Sequence, residues 1–415
     1  MDMTPPCSIA CNANKNNESP SQHQMTQYHD SSQLVSSCTS SPPNQANQLP
    51  PHSLHQCITT LNGHSSYISA LTIHKNSLYS GSSDQNIRLW TSIPSDPPSH
   101  QITPSSFIVA TTTSPVKSLV ISGGNLFSSH QDHKIRVWQI NRKENHQYRY
   151  KLRAVLPTPK DRFLSLLLPE NYVQVRRHKR CTWVHHVDAI SGLALSHDGS
   201  LLYSVSWDRT LKVWRTSDFR CMESVAGAHH DAINAIAVSP DGYVYTGSAD
   251  TTIKVWQRRP EDRKHSLVTA LKRHQSAVNA LALTADGSVL YSGACDRSVV
   301  VWEGGGGLMA ATGALGGHTK AILSLAATAD LVCSGSADGT VRVWRRGGDK
   351  RYSCLVALEG HGGPIKSLAM VGFDSHIEGC CGSGGSYLVV SGGMDCDIKV
   401  WKLLVPNKLV FNFEL

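Results

Sequence analysis

The chain has 415 residues, 40% hydrophobic and 17% charged, enough for two or three ordinary domains or for one large domain built of repeats. Its 39 Lys and Arg against 31 Asp and Glu give a net charge of +8, mildly basic and well short of the cationic blocks of a nucleic-acid coat. No apolar run reaches about 18 residues, which excludes a helical membrane span, and the first residues form neither a basic nor an apolar leader, so no secretory signal is expected. The 12 Cys include no CxxC pair, and Cys380-Cys381 are simply adjacent; they read as reduced thiols of a cytosolic or nuclear protein.

The N-terminal 50 residues differ in kind from the rest. Ser, Asn, Gln and Pro fill 27 of these 50 positions, and the only charges are Asp2, Lys15, Glu18 and Asp30. Such a segment buries too little apolar area to offset its conformational entropy, so residues 1–52 are expected to be a disordered tail. Ser19-Pro20 and Ser41-Pro42 have the form of proline-directed phosphorylation sites, a weak signal in so Ser- and Pro-rich a stretch.

From residue 53 to 402 the chain repeats itself. Trp90, Trp138, Trp214, Trp256, Trp302, Trp344 and Trp401 each close a short apolar run, at intervals of 48, 76, 42, 46, 42 and 57. The base period is therefore about 42, with insertions in four places. TGSADTTIKVW (246–256), SGACDRSVVVW (292–302) and SGSADGTVRVW (334–344) show the pattern. Ahead of each Trp run lies an alternating segment such as YISALTIH, AINAIAVS or PIKSLAMV, which reads as a short antiparallel strand bounded by turns.

Fixed positions recur around each Trp. An Asp stands six residues before it (Asp84, Asp132, Asp208, Asp250, Asp296, Asp338, Asp395) and a hydroxyl stands ten before it, from Ser80 to Ser391. His64, His186, His229, His274, His318 and His361 precede the first strand of six repeats; the second repeat has Thr112 in that place. An indole N–H donates only, a hydroxyl and an imidazole do both, and a carboxylate accepts. The four side chains can thus form one closed hydrogen-bond chain, which makes these His and Asp structural rather than catalytic. The second repeat, lacking the imidazole, is expected to be the loosest.

These residues and their spacing resemble the WD40 repeat family. The resemblance implies an all-β, seven-bladed WD40 β-propeller, with the extra strand Cys57–Leu61 completing the last blade. The C-terminal tail 403–415, which carries the apolar Leu409-Val410-Phe411, is a second candidate for that place.

The 76-residue interval holds an insertion at 160–185, on the rim of the His loops and Asp turns. Asp161 to Leu168 has the spacing of one or two helical turns ended by Pro169, and the cationic run Arg176-Arg177-His178-Lys179-Arg180 follows. This segment either docks an acidic or phosphorylated partner or is a solvated loop whose Trp183 and leucines pack on the blade edge. Trp207, one residue before the turn Asp where other repeats have smaller side chains, and Arg209 beside it have the composition of an interaction hot spot. Tyr67, Arg297 and Lys320 share the same rim. The Gly-rich stretches 304–307 and 379–386 lack the GxxxxGK[ST] order of a phosphate loop, and no catalytic motif stands outside the repeat positions. No enzyme activity, cofactor or metal is expected.

The run DRFLSLLLPENYVQVRRHKRCTWVHHVDAISGLALSHDGSLLYSVSWDRTLKVW and the segment CITTLNGHSSYISALTIHKNSLYSGSSDQNIRLW are similar to plant JINGUBANG-type WD40 proteins. That resemblance covers most of residues 55–402 and includes the basic insertion. It implies a non-catalytic adaptor of nucleus and cytoplasm that restrains pollen germination and holds transcription-factor partners. Two other readings stay open. One is a substrate receptor of a cullin ubiquitin ligase, for which only Trp256-Gln257-Arg258-Arg259 approximates the W-D-x-R box. The other is a nucleic-acid-binding propeller.

Overall fold

The alternating segments fold as antiparallel strands, and the described residues hold seven four-stranded sheets, one per repeat. The structure is a computed structural model that describes residues 55–75, 77–91, 105–142, 148–166, 172–176, 179–259, 261, 264–373 and 384–406. The expected disordered tail, Leu409-Val410-Phe411 and residues 379–383 lie outside that set. Blade 1 shows the plan: Ile68–His74 innermost, then Ser77–Ser82, Asn86–Thr91 and Ser105–Thr111 outermost. Each inner strand packs against that of the next blade, and the seventh, Ile365–Phe373, packs against the first.

Blade 7 takes its outer strand, His55–Leu61, from the N-terminal side of the propeller; it pairs with Ile398–Pro406 from Leu61↔Ile398 to His55↔Leu403. The Trp401 strand itself runs on to Pro406, so the boundary expected at residue 402 falls inside a strand. No helix of the described residues is long and apolar enough to cross a membrane.

The core lies between blades. Seven apolar clusters form, one at each blade-to-blade junction; Val301 and Leu315 of blade 5, for example, meet Ile322 and Trp344 of blade 6. A single blade cannot bury its own faces, which is why the repeats must close on one another.

Polar contacts close the ring as well. Each inner strand carries a bulge after its first residue, and a side chain of the preceding blade donates to the carbonyl of that residue. Ser69 donates to Val116 (2.6 Å), Ser129 to Ile190 (3.0 Å), Ser191 to Ile233, and Asn234 to Val278 (3.0 Å). Asn279 donates to Ile322 (2.9 Å), Ser324 to Ile365 (3.2 Å), and Ser367 back to Ile68 (3.4 Å). The close approach leaves no room for a side chain on the neighbouring strand in several blades: a Cβ at Gly293 would stand 2.4 Å from Ile322 Cγ2.

The four-residue networks form in six blades. In blade 1, Trp90 Nε1–H donates to Ser80 Oγ (2.8 Å), and Ser80 and Asp84 lie 2.8 Å from His64 Nε2 and Nδ1. The same set recurs through His186, His229, His274, His318 and His361, with Trp214, Trp256, Trp302, Trp344 and Trp401. A neutral imidazole protonated at Nδ1 satisfies the whole chain. Burial outweighs the pull of the carboxylate and holds His64, His186, His229, His318 and His361 below the ordinary imidazole value. Burial works against the Asp250 charge, but the Thr252 hydroxyl, the His230 N–H and His229 outweigh it and hold that carboxyl at about 2.

Blade 2 corrects one expectation. Its network does contain an imidazole, supplied from the second strand by His130, which is fully buried. His130 Nε2 lies 2.8 Å from Ser128 Oγ, which accepts from Trp138 (2.9 Å), and Nδ1 donates to the Ser114 carbonyl (3.1 Å). Asp132 turns instead to the Arg136 guanidinium, at 2.6 and 3.1 Å, and Thr112 Oγ1 donates to the Gln85 and Ser114 carbonyls. Residues 128–130, Ser-Ser-His, therefore supply three things at once: the network hydroxyl, the ring-closing donor Ser129 and the imidazole.

Burial, reinforced by the Arg136 charge, pushes His130 down to about 4, whereas an unfolded imidazole titrates at about 6.5. The unfolded chain thus binds more protons between these values, and stability falls as pH drops through that window. Thermal melts from pH 7.5 to 4 should show a falling Tm. His130→Ala should cost about 1–3 kcal/mol at pH 7.5 and flatten part of the acid slope; an unchanged slope would assign it to other groups.

Candidate interaction face at the channel mouth

The inner strands surround an axial cavity of about 220 Å³, lined by small polar and apolar side chains. Among the described residues its lining includes two cations, Lys117 and Lys366, and no carboxylate. Lys117 occupies the second position of the blade 2 inner strand, where blades 1, 3, 4 and 5 use Ser69, Ser191, Asn234 and Asn279 as ring donors. Ser129 has taken over that bond in blade 2, so Lys117 is released from it.

The released ammonium sits between two aromatic rings. Lys117 Nζ lies 5.4 Å from the Trp207 ring centre, 5.9 Å from that of Tyr67 and 3.4 Å from the Tyr67 hydroxyl. No carboxylate stands within ion-pair distance of it among the described residues. Trp207 is 41% exposed, whereas the seven network indoles are buried. Its turn is tied to the segment leaving the insertion: Trp207 N–H donates to the Ala189 carbonyl (3.1 Å) and Val187 N–H to Asp208 (2.8 Å). Burial opposes the Asp208 charge, but His186, Thr210 and this N–H hold its carboxyl well below the usual range.

The insertion is more ordered in outline than the loop expected from sequence. Its helix spans Pro159–Leu166, starting two residues earlier than expected, because Thr158 caps it: Asp161 N–H donates to Thr158 Oγ1 (3.2 Å), which donates to the Asp161 carboxylate (3.0 Å). Pro159 follows at the first helical position, where a missing N–H costs nothing. The cationic run is part of a two-stranded hairpin, Tyr172–Arg176 with Lys179–Thr182, pairing Arg176 with Lys179 and Gln174 with Arg180. Arg177 and His178 lie outside the described residues.

Trp183 packs against the core between blades 2 and 3, and its carbonyl accepts from the ammonium of Lys212, which is 1% exposed and also donates to Ser224 (2.6 Å). Trp183 thus anchors the insertion to the blade. Arg209, Arg297 and Lys320 are exposed, the first two in left-handed turn positions beside the network Asp, and the Lys320 carbonyl accepts from Ser336 (3.1 Å). The structure brings Trp207 together with Tyr67 and adds Lys117, which sequence reading passed over. The signal was present: a lysine where four of the other repeats have Ser or Asn. Among the described residues no group of three His, Cys, Asp or Glu is placed to hold a metal.

A family model described as "WD domain, G-beta repeat" matches residues 55–91, 178–215, 220–257, 265–303, 310–345 and 352–402. The chain belongs to the WD40 family. The matched segments omit blade 2, the blade whose imidazole is displaced. Curated WD40 relatives are similar over short stretches. "Mitochondrial division protein 1" of Schizosaccharomyces pombe is 30% identical over 28% of this chain and 20% of its own length. "WD repeat and FYVE domain-containing protein 2" of Caenorhabditis elegans is 29% identical over 34% of this chain and 33% of its own. "Ribosome biogenesis protein WDR12 homolog" of Drosophila erecta is 28% identical over 28% and 31%. The chain thus spans a third or less of these relatives. Among solved structures, the WD40 β-propeller domain of Doa1 superposes with a TM-score of 0.58 at 18% identity, covering 84% of this chain and 96% of that one. WD40 propellers typically serve as protein-interaction scaffolds.

Lys212→Ala should leave the Trp183 carbonyl unpaired, cost about 1–3 kcal/mol, and loosen the insertion. Limited trypsin digestion should then cut within residues 160–183 at lower protease dose than in wild type, with the blades intact. Equal protection in both proteins would mean that Lys212 does not anchor the segment.

Proposed function

We propose that this propeller is a non-catalytic protein-interaction scaffold that holds an acidic or phosphorylated partner segment at the mouth of its channel. The observation that carries the reading is the exposed Trp207 ring stacked with Lys117, a cation without a carboxylate partner among the described residues. An aromatic ring beside an unneutralised ammonium offers both the apolar contact and the charge that such a segment requires. Arg209 adjoins it, Arg297 and Lys320 extend the rim, and the charges of Arg176, Arg177, Lys179 and Arg180 supply long-range attraction that speeds encounter and weakens with salt.

A non-catalytic role is supported by the repeated His, Asp, Ser and Trp, whose polar atoms are engaged within the blades. The similarity of residues 55–402 to plant JINGUBANG-type proteins supports a finer reading: a regulator of plant development, of the pollen-germination or growth type, acting on transcription factors in nucleus or cytoplasm.

Affinity capture with mass spectrometry tests it, comparing wild type with Lys117→Ala/Trp207→Ala and with Gln at Arg176, Arg177, Lys179 and Arg180. Losing Trp207 should weaken a bound partner by about 2 kcal/mol or more, and the neutralised hairpin should lose the same proteins chiefly at low salt. Identical protein lists from three equally stable variants would overturn the proposal, and loss of nucleic acid alone would favour the nucleic-acid reading.

A further inference from the structure

The seven junctions can be compared on the rim opposite the Trp207 turn, and two of them are built on the same pair of tyrosines. Between blades 5 and 6 the hydroxyls of Tyr291 and Tyr352 lie 2.9 Å apart with edge-to-face rings. Between blades 1 and 2, Tyr79 and Tyr150 repeat the arrangement at 3.0 Å. The strand registers match: Tyr352 pairs with Arg346 as Tyr150 pairs with Ile140, two residues after the blade Trp in each case.

What covers the tyrosines differs. At the blade 5–6 junction Glu303 of the blade 5 third strand meets Arg346 at 2.5 Å and Lys350 at 3.6 Å beside the tyrosine pair. The corresponding residues at the blade 1–2 junction are Thr91 and Ile140, so both the carboxylate and the guanidinium are absent. In their place is a cavity of about 450 Å³ lined by His74, Lys75, Ser77, Tyr79, Gly124, Ile140 and Tyr148. That volume is in the range of small-molecule sites.

The lining has two parts. Tyr79, Tyr148 and Ile140 offer an apolar, largely aromatic wall suited to a flat ring. His74 and Lys75 are exposed at the other side, and neither forms an ion pair among the described residues. At the matching junction the protein supplies its own anion; here, among the described residues, the lining holds Lys75 and no acidic side chain. We infer that the cavity between blades 1 and 2 is a binding site for a small aromatic anion, its ring against Tyr79, Tyr148 and Ile140 and its charge toward Lys75. This site lies apart from the channel mouth, so it stands independently of the scaffold reading.

The test uses the full chain and 8-anilinonaphthalene-1-sulfonate, whose fluorescence rises in an apolar aromatic site, with 1-naphthoate and uncharged 1-naphthalenemethanol as competitors. Wild type should bind one equivalent of the dye saturably, and the naphthoate should displace it at tenfold or more lower concentration than the alcohol. Thr91→Glu/Ile140→Arg, which rebuilds the ion pair of the blade 5–6 junction, should abolish binding. Lys75→Gln/Tyr148→Ala alters only solvent-facing groups, keeps the Tyr79–Tyr150 pair, and should weaken binding at least fivefold even if the first variant does not fold. Circular dichroism and Tm confirm that dye is not reporting unfolding. Undiminished dye binding in a folded variant of either kind, or equal displacement by acid and alcohol, overturns the inference.

Discussion

Seven carbonyls facing the axis set the terms for this molecule. Each inner strand bulges after its first residue, and the carbonyl there must be met by a donor from the blade before it. An unmet carbonyl at so crowded a position would cost about 1–3 kcal/mol, and every junction in the ring has found a donor. The choice of donor then decides what else a blade can do. Where Ser or Asn at the second inner position supplies it, that position is committed to the ring. Where the bond comes from elsewhere, from Ser129 in blade 2, Ser324 in blade 6 or Ser367 in blade 7, the second position becomes available; it is Leu323 in blade 6 and a lysine lining the channel in the other two.

Blade 2 therefore couples architecture to the candidate site. The Ser-Ser-His of residues 128–130 replaces a small-residue pattern found in the other blades, and its serine permits Lys117 while its histidine rescues the Trp138 network. Asp132, no longer needed by an imidazole, holds Arg136. Rather than lacking a group, blade 2 has exchanged one set of partners for another, with Ser128, Ser129 and His130 fully buried and Asp132 paired with Arg136. The same repeat-by-repeat logic distinguishes the blade 1–2 junction, with Thr91 and Ile140, from the blade 5–6 junction, with Glu303 and Arg346 at the same positions.

Much of this was legible in the residues. The Trp spacing, the Asp six positions before it and the alternating runs define the blades because hydrogen-bond chemistry and strand geometry leave few alternatives. Reading failed where a role moved between strands. His130 lies two residues after Ser128, on the same face of one strand, and a search restricted to the preceding loop could not see it. Lys117 was missed because its neighbours Tyr67 and Trp207 belong to other blades, 50 and 90 residues away. The helix start was misplaced because apolar spacing marks a buried face, whereas the Thr158 cap marks the end. Trp183 illustrates the converse: its composition suggests a contact residue, and its packing makes it an anchor.

The pairing of His55–Leu61 with Ile398–Pro406 has a consequence in time. The first strand of the propeller has no edge to join until a strand some 340 residues later has left the ribosome, and at about 5–20 residues per second that wait lasts roughly 17 to 70 s. Blades 1 to 6 have all their strands contiguous and can form as they emerge, while blade 7 cannot. Closing so long a loop adds a slowly growing entropic cost, and until it happens both the Ile398–Pro406 edge and the seventh core are open to water and to other nascent chains. Synthesis of the propeller is thus its most exposed interval, and the arrival of the Ile398–Pro406 strand is the event that seals it.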